Sequence, residues 1–517
     1  MAPAAAKAAE GISAALDLST VPRFYKRKNG ILLYFLLTSS ALSSFASGFD
    51  GSQTNAMQLL IQWQNKFGHP TGSTLGFFGA STGIGGVIPL VLLSWLGDKF
   101  GRRLPTVVGS IFIIIGTLIQ FFSPNLMSFI GGKIVLGFGV TTVQLGAPVL
   151  MTELSHPKER TVVTTFYNTS VYLGYVVGAW ITFGVTNVDS EWQWKIPTLL
   201  QAVPSLYQLA LIYFSPESPR WLIAQGREQE AYESLLKWHG NGDPNSELVA
   251  TEFAEIKEAL DYEREQNLTW RDFFSSIPNW KRIGICIAIA TFSQSSGNLL
   301  VSNYLPQILK DTGLKTDFEN TLVNGMSTLW SYIVSLAVTA LINRFRRRTF
   351  FLVGSGGVVV VFIAWTIASQ QYIERGSVGG GRMVIACIFL FQTFYSIAWM
   401  NLLVMYPLEI CPYHMRAKAW SLVLLVVYVA QIFGNYVNPV GLDAIGWKFY
   451  IYYCVWVSMI FVIVYFCFPE TQGPTLEELA RLFDGPKEKV AELEKTKTRD
   501  STDMGKHPIE AVGVEKV

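Results

Sequence analysis

Apolar stretches of about twenty residues recur along the chain, separated by short polar breaks. A bilayer core about 30 Å thick is crossed by roughly 20 apolar residues of helix. Reading with that length gives six spans, a polar interval and six more spans. The first six fall at 31–54, 74–96, 104–123, 128–151, 163–185 and 195–215. The second six fall at 283–308, 321–343, 349–369, 383–406, 417–438 and 447–468. Between 216 and 282 the pattern turns charged and amphipathic, predicting short helices around Glu230–Trp238 and Glu247–Glu265. After about residue 483 the chain is Lys/Glu-rich and lacks aromatic rings, the composition of a disordered tail. The expected architecture is an all-α membrane protein of twelve transmembrane helices in two pseudo-symmetric six-helix bundles, 31–215 and 283–468. A segment 1–30 precedes them, a helical linker 216–282 joins them and a tail 469–517 follows.

Composition supports that reading. Half of the 517 residues are hydrophobic and only 15% are charged, against about 25% in soluble proteins. So little charge cannot cover a water-facing surface, so lipid is the expected surroundings. The net charge of +2 marks no nucleic-acid face, because the basic residues sit in short clusters between spans. Those clusters orient the chain. Arg23–Lys28, Lys99 with Arg102 and Arg103, Lys158 with Arg160, and Arg344 with Arg346–Arg348 all fall on one side if both termini are cytoplasmic. Of five Cys, Cys286, Cys387, Cys454 and Cys467 fall in apolar stretches and Cys411 in a basic loop, so neither a disulfide nor a metal cluster is expected. The five His show no ligand spacing. The Ala-rich start lacks the apolar core of a cleaved signal peptide.

Two acidic–basic blocks recur half a chain apart. Glu153-Leu-Ser-His-Pro-Lys-Glu-Arg160 and Glu409-Ile-Cys-Pro-Tyr-His-Met-Arg416 each follow a long apolar stretch and place a Glu seven residues before an Arg. Such a repeat says that the halves are similar, the layout of bundles that rock against each other. The loop Gly97-Asp-Lys-Phe-Gly-Arg-Arg103 adds a D-x-x-G-R-R pattern directly after a span. Pro216-Glu-Ser-Pro-Arg-Trp-Leu222, Pro407-Leu-Glu409 and Pro469-Glu-Thr-Gln-Gly473 follow in order. Together these motifs resemble the sugar porters of the major facilitator superfamily over residues ~30 to ~480. Two further stretches, His239–Asn245 and Ser293–Asn298, resemble the fungal lactose-permease-like and hexose-transporter branch.

The resemblance implies a sugar and a proton as partners, no cofactor, and residues in named roles. A cytoplasmic gate would pair Asp98, Glu153, Glu217, Glu409 and Glu470 with Arg102, Arg103, Arg160, Arg220, Arg347 and Arg416, holding the halves together in one state and parting in the other. The second-half loop, Asn343-Arg-Phe-Arg-Arg-Arg348, departs from D-x-x-G-R-R, which puts a symmetric latch there in question. Asp50 would carry the proton with Lys133 as its partner, where the family usually has Arg. Sugar hydroxyls would be met by Asn168, Gln294, Asn298, Asn303 and Asn435, and the ring face by Trp399, with Gln144 and Tyr304 as weaker candidates. Singly, each amide could equally bond a neighbouring helix.

Gly79-Ala-Ser-Thr-Gly83 matches a hydrolase motif, but no strand precedes it. It fits helix packing better, as does Gly174–Gly178. Asn267-Leu-Thr269 matches a glycosylation sequon on the side expected to be cytoplasmic. No catalytic constellation passes such tests, so an enzyme is not expected. The expectation is a monomeric plasma-membrane transporter importing a mono- or disaccharide with a proton. The alternatives are an uncoupled facilitator and, with so short a tail, less readily a sugar sensor.

Overall fold

A computed structural model describes residues 24–472 and Phe483, apart from Ser94, 267–272, 275–276, 311–312, 315, Asn343, Asn401 and 412–414. The start of the polar N-terminal segment, the tail from 473 on apart from Phe483, the Asn267–Thr269 sequon and Asn343 therefore lie outside the described residues. Helices make up the fold. In the first half they are α1 (Gly30–Ala56), α2 (Gly72–Leu92), α3 (Arg103–Phe121), α4 (Leu126–Leu154), α5 (Arg160–Val185), α6 (Trp192–Leu200) and α7 (Val203–Ile212). The linker forms α8 (Pro219–Ala224), α9 (Glu228–Trp238) and α10 (Glu247–Gln266). The second half holds α11 (Ile277–Ser295), α12 (Asn298–Asn303), α13 (Leu305–Lys310), α14 (Asp317–Leu341), α15 (Arg347–Arg375) and α16 (Val378–Tyr395). A π-helical turn, Ser396–Met400, leads into α17 (Leu402–Ile410), α18 (Arg416–Ile445) and α19 (Phe449–Cys467).

Among the described residues, nine helical stretches are long and apolar enough to cross a membrane, and one of them, Lys418–Cys467, holds two spans. The remaining two of the twelve are less apolar or broken. α5 carries Thr161, Thr164, Thr165, Tyr167, Asn168, Thr169 and Ser170 in its first half. The sixth span, expected to be continuous, divides at Gln201-Ala202. Pro204 has no N–H to offer the Leu200 carbonyl, and Gln201 turns its own N–H to Thr198 instead, at 3.2 Å. The seventh span breaks after Ser296, where Gly297 adopts φ 101°, a conformation that side chains resist. Broken helices at membrane depth persist where they line a cavity or are buried in protein.

Within the first half, α1 packs on α5, α4 and α7, and α4 on α2 and α3; within the second, α15 packs on α16 and α19, and α11 on α18. The halves meet along two seams, α2 against α18 and α5 against α14. The first seam is a glycine stripe. A Cβ at Gly76 would lie 2.8 Å from the Tyr436 carbonyl oxygen, one at Gly83 2.9 Å from Ile432 Cγ1, and one at Gly86 2.6 Å from Tyr428 Cε1. At Gly79 it would collide with the Tyr304 hydroxyl, so the hydrolase-like motif is a close-packing surface. Gly174 and Gly178 likewise bring α5 against Phe45 and Ser52 of α1. Cys411, expected in a loop, is buried at the end of α17, with its Sγ 3.9 Å from that of Cys286.

Candidate functional site

A cavity lies between the two halves, beside the α5–α14 seam. Its lining includes Ser52 and Asn55 of α1, Tyr172 and Tyr175 of α5, Asn298 and Ser302 of α12, Asn324 with Ser327, Thr328 and Ser331 of α14, and Gln392 and Tyr395 of α16. No lining residue is charged. Amides and hydroxyls supply donors and acceptors, and the tyrosines add flat apolar faces. At the end away from the Arg/Glu loops, hydrogen bonds cross between the halves. Asn55 donates to Asn324 at 2.7 Å, Gln58 to the Asn303 carbonyl at 2.7 Å, and Thr186 Oγ1 lies 3.2 Å from Thr321 Oγ1. These contacts cap the cavity at that end. Toward the other end the exposed Asn168 lies one and two helical turns from Tyr172 and Tyr175, on the same face of α5.

Beside the cavity a carboxylate is buried. Asp50, five residues before Asn55 in α1, is 4% exposed. Its Oδ1 accepts from Gln201 Nε2 at 2.8 Å and lies 3.4 Å from Lys133 Nζ. Lys133 also donates to Thr54 Oγ1 at 2.7 Å and sits 5.1 Å from the Phe78 ring centre. A buried charge needs such partners, because desolvation without them costs several kcal/mol.

At the loop end two charge clusters repeat almost atom for atom. In the first half Glu153 meets Arg102 at 3.4 Å and accepts from Ser218 Oγ at 2.5 Å. In the second, Glu409 meets Arg347 at 3.3 Å and accepts from Thr471. Glu217 accepts the Arg102 and Arg103 N–H groups at 3.0 and 3.3 Å; Glu470 accepts those of Arg347 and Arg348 at 3.0 and 3.1 Å. Each of these two carboxylates caps the positive end of a spanning helix, α3 or α15. The guanidinium groups repeat too. Arg102 reaches the Gly97 carbonyl and Arg347 that of Ile342, while Arg103 reaches Tyr213 and Arg348 reaches Tyr465. The Asp98 carboxylate adds 3.1 Å to Arg102 in the first half alone. Each of these pairs joins a half to itself or to the segment that follows it, not to the other half, and the second cluster forms without an Asp at position 343. Arg416 donates to the Cys411 carbonyl at 3.0 Å, and Arg220 stands in the first turn of α8.

The linker docks on the first cluster. His239 is buried, with Nδ1 2.7 Å from Glu252 and Nε2 3.1 Å from the Leu154 carbonyl oxygen; Arg160 lies 3.6 Å from Glu252. Burial, reinforced by the cations around it, holds the His156 imidazole down to about 2, so it is neutral at physiological pH. For Glu252 burial works toward the acid form, yet His239 and Arg160 outweigh it and the carboxyl is held below its usual range.

The family model for "Sugar (and other) transporter" matches residues 36–483, nearly the whole described chain. The chain belongs to this family. The transporter is 28% identical over 404 residues to "Sugar transporter STL1" of Saccharomyces cerevisiae, covering 76% of this chain and 69% of that one. It is 26% identical to the "High-affinity glucose transporter" of Kluyveromyces lactis, over 90% and 88% of the two chains. Among solved structures, the inward open conformation of the xylose transporter XylE from E. coli superposes with a TM-score of 0.72 at 21% identity, covering 87% of this chain and 100% of that one. The protein is therefore a multi-pass major facilitator sugar porter, not an enzyme.

Within the transporter, the residues singled out from sequence separate into groups. Asn298 lines the cavity. Gln294 is half-buried one turn away, donating to Ser293 Oγ at 3.2 Å. Asn303 and Asn435 bond each other at 2.7 Å beyond the cavity, and Tyr304 donates to the Asn435 carbonyl at 2.5 Å. Trp399 is fully buried against Phe292 and Phe351, in the π-helical turn whose Ser396 and Met400 line the cavity. Gln144 of α4 accepts from Tyr428 of α18 at 3.3 Å. Sequence reasoning passed over Asn55, Asn324, Gln392 and the three tyrosines. A signal for Asn324 was present, since Asn324, Ser327, Thr328, Ser331 and Ser335 form a polar stripe at helical spacing in an otherwise apolar span.

Proposed function

We propose that this transporter carries a neutral mono- or disaccharide together with a proton into the cell across the plasma membrane, by alternating access. One observation carries the reading: an uncharged cavity of amides, hydroxyls and tyrosine rings shares its Tyr175 wall with the turn of α1 that holds a buried carboxylate paired with a lysine. An uncharged, polyhydroxylated solute suits such a lining, because every hydroxyl can be met without importing charge. A carboxylate in a membrane span is costly, so one that is kept there points to a part in the transport cycle. The name of XylE as a proton:xylose symporter supports the coupled form, and the curated relatives support a hexose or a similar sugar.

With both termini placed in the cytoplasm, the capped end faces outward and Asn168 faces inward, so the arrangement is inward-facing. In the outward-facing state the cap bonds part and the loop ends close, bringing the two charge clusters together as a gate. Glu153, Glu217, Glu409 and Glu470 with their Arg partners are then a state-dependent latch; Asn298 and the lining amides bind sugar, with Trp399 shaping the pocket floor. Asp50 binds the proton from outside and releases it inside, and Lys133 balances the carboxylate's charge whenever it is ionised. The test is Asp50→Asn at normal surface expression. Accumulation of sugar against its gradient is lost, while exchange of labelled for unlabelled sugar persists. Accumulation that survives the substitution contradicts the coupled reading and leaves a facilitator.

A further inference from the structure

The break in the sixth span does more than interrupt a helix. It presents Gln201, 2% exposed, to the buried carboxylate. Of the two groups that reach Asp50 Oδ1, the neutral amide is the nearer, at 2.8 Å against 3.4 Å for Lys133. The shorter bond of Lys133 goes to Thr54, at 2.7 Å. We propose that Gln201 is a positioning residue for proton coupling: its amide orients Asp50 and stays bonded to it as the carboxylate takes up and gives off its proton. This rests on the symport reading above.

An amide can serve both protonation states. Its N–H₂ donates to the carboxylate, and after rotation its carbonyl oxygen accepts from the protonated carboxyl, which an ammonium cannot do. Gln201 can therefore stay bonded to Asp50 through the cycle while Lys133 keeps Thr54. The other titratable groups facing Asp50 are Lys133 of α4, Tyr175 of α5 and Tyr428 of α18. The Tyr175 hydroxyl packs against Gly51 and the same side chain lines the cavity, so the proton site and the cavity share a wall.

The test is the pH profile of sugar uptake by the full-length protein in yeast lacking its own sugar carriers. Gln201→Leu removes a donor that favours the ionised form. The pH of half-maximal uptake is then expected to move alkaline by about one unit, a tenfold change in proton affinity, with the sugar KM changed less than about twofold. Gln201→Glu keeps the volume and gives two carboxylates sharing one proton, and shifts the profile the same way; it is the deciding variant should Gln201→Leu not reach the surface. A steep wild-type profile left unmoved by Gln201→Glu overturns this assignment alone, as does an altered sugar KM with no shift. A wild-type profile that is flat in pH and indifferent to a protonophore overturns the symport reading, and this assignment with it.

Discussion

The two charge clusters share a geometry but not an environment, and that difference can be measured. The Glu153 side chain is 4% exposed and that of Arg102 6%, whereas Glu409 is 23% exposed opposite an Arg347 that is 6% exposed. Truncating Glu153 to Ala strands a guanidinium away from water, and losing one partner of a buried pair costs about 3–5 kcal/mol. Arg102 keeps the Gly97 carbonyl and Asp98, so the lower end of that range, about 3 kcal/mol, applies. Glu409→Ala leaves Arg347 beside a vacated position that water can enter, so about 1–2 kcal/mol is expected, between the values for buried and exposed pairs. The assay is the thermal midpoint of each purified variant in one detergent, alongside turnover and sugar KM in yeast. Glu153→Ala should lower the midpoint about twice as far as Glu409→Ala. Both should slow turnover with KM within about threefold, because neither residue lines the cavity. Equal midpoints, or a larger loss for Glu409→Ala, would refute the burial argument. Unchanged turnover at normal surface expression would remove these residues from the gate.

Other consequences follow from the seams and the linker. Gly79→Leu drives a side chain into the Tyr304 hydroxyl and should hold the outer end open; a cysteine placed at Ser331 would then react faster with an impermeant thiol reagent from outside, and an unchanged rate would show that the seam yields. Asn324→Ala leaves the Asn55 amide buried without its partner, at about 1–3 kcal/mol; the inward-facing population should fall roughly tenfold, read by the same labelling. His239→Ala leaves Glu252 buried without its nearest partner, so the linker should be cut faster by limited proteolysis while sugar KM stays put; an unaltered digestion pattern would contradict the docking role.

Much of this fold was legible in the sequence because the bilayer imposes one simple length on every span. The exceptions have local causes. Pro204 denies a backbone donor to Leu200, and no count of apolar residues reports that. α5 is too polar to qualify as an average apolar helix, because its inner face borders the cavity. Motif spacing located Glu153, Glu217, Glu409 and Glu470, but the roles divided in a way spacing cannot carry: two pair with guanidinium groups and two cap helix ends. The altered Asn343 loop drew attention to a possible loss of symmetry. The second cluster stands on Arg347, Arg348 and the carboxylates of Glu409 and Glu470 instead. The cavity was the least legible part. A lone amide in a span reads the same whether it meets a ligand, as Asn298 can, or a second amide, as Asn303 meets Asn435.

The central claim is coupled transport of a neutral sugar, and its most direct test is uptake of a labelled sugar panel in yeast lacking its own sugar carriers, at pH 5 and pH 7.5, with and without a protonophore. The account predicts accumulation of at least one sugar, faster at pH 5 and abolished by the protonophore. Uptake indifferent to both would contradict the coupling, and no uptake of any sugar with the protein at the cell surface would contradict the transport reading itself.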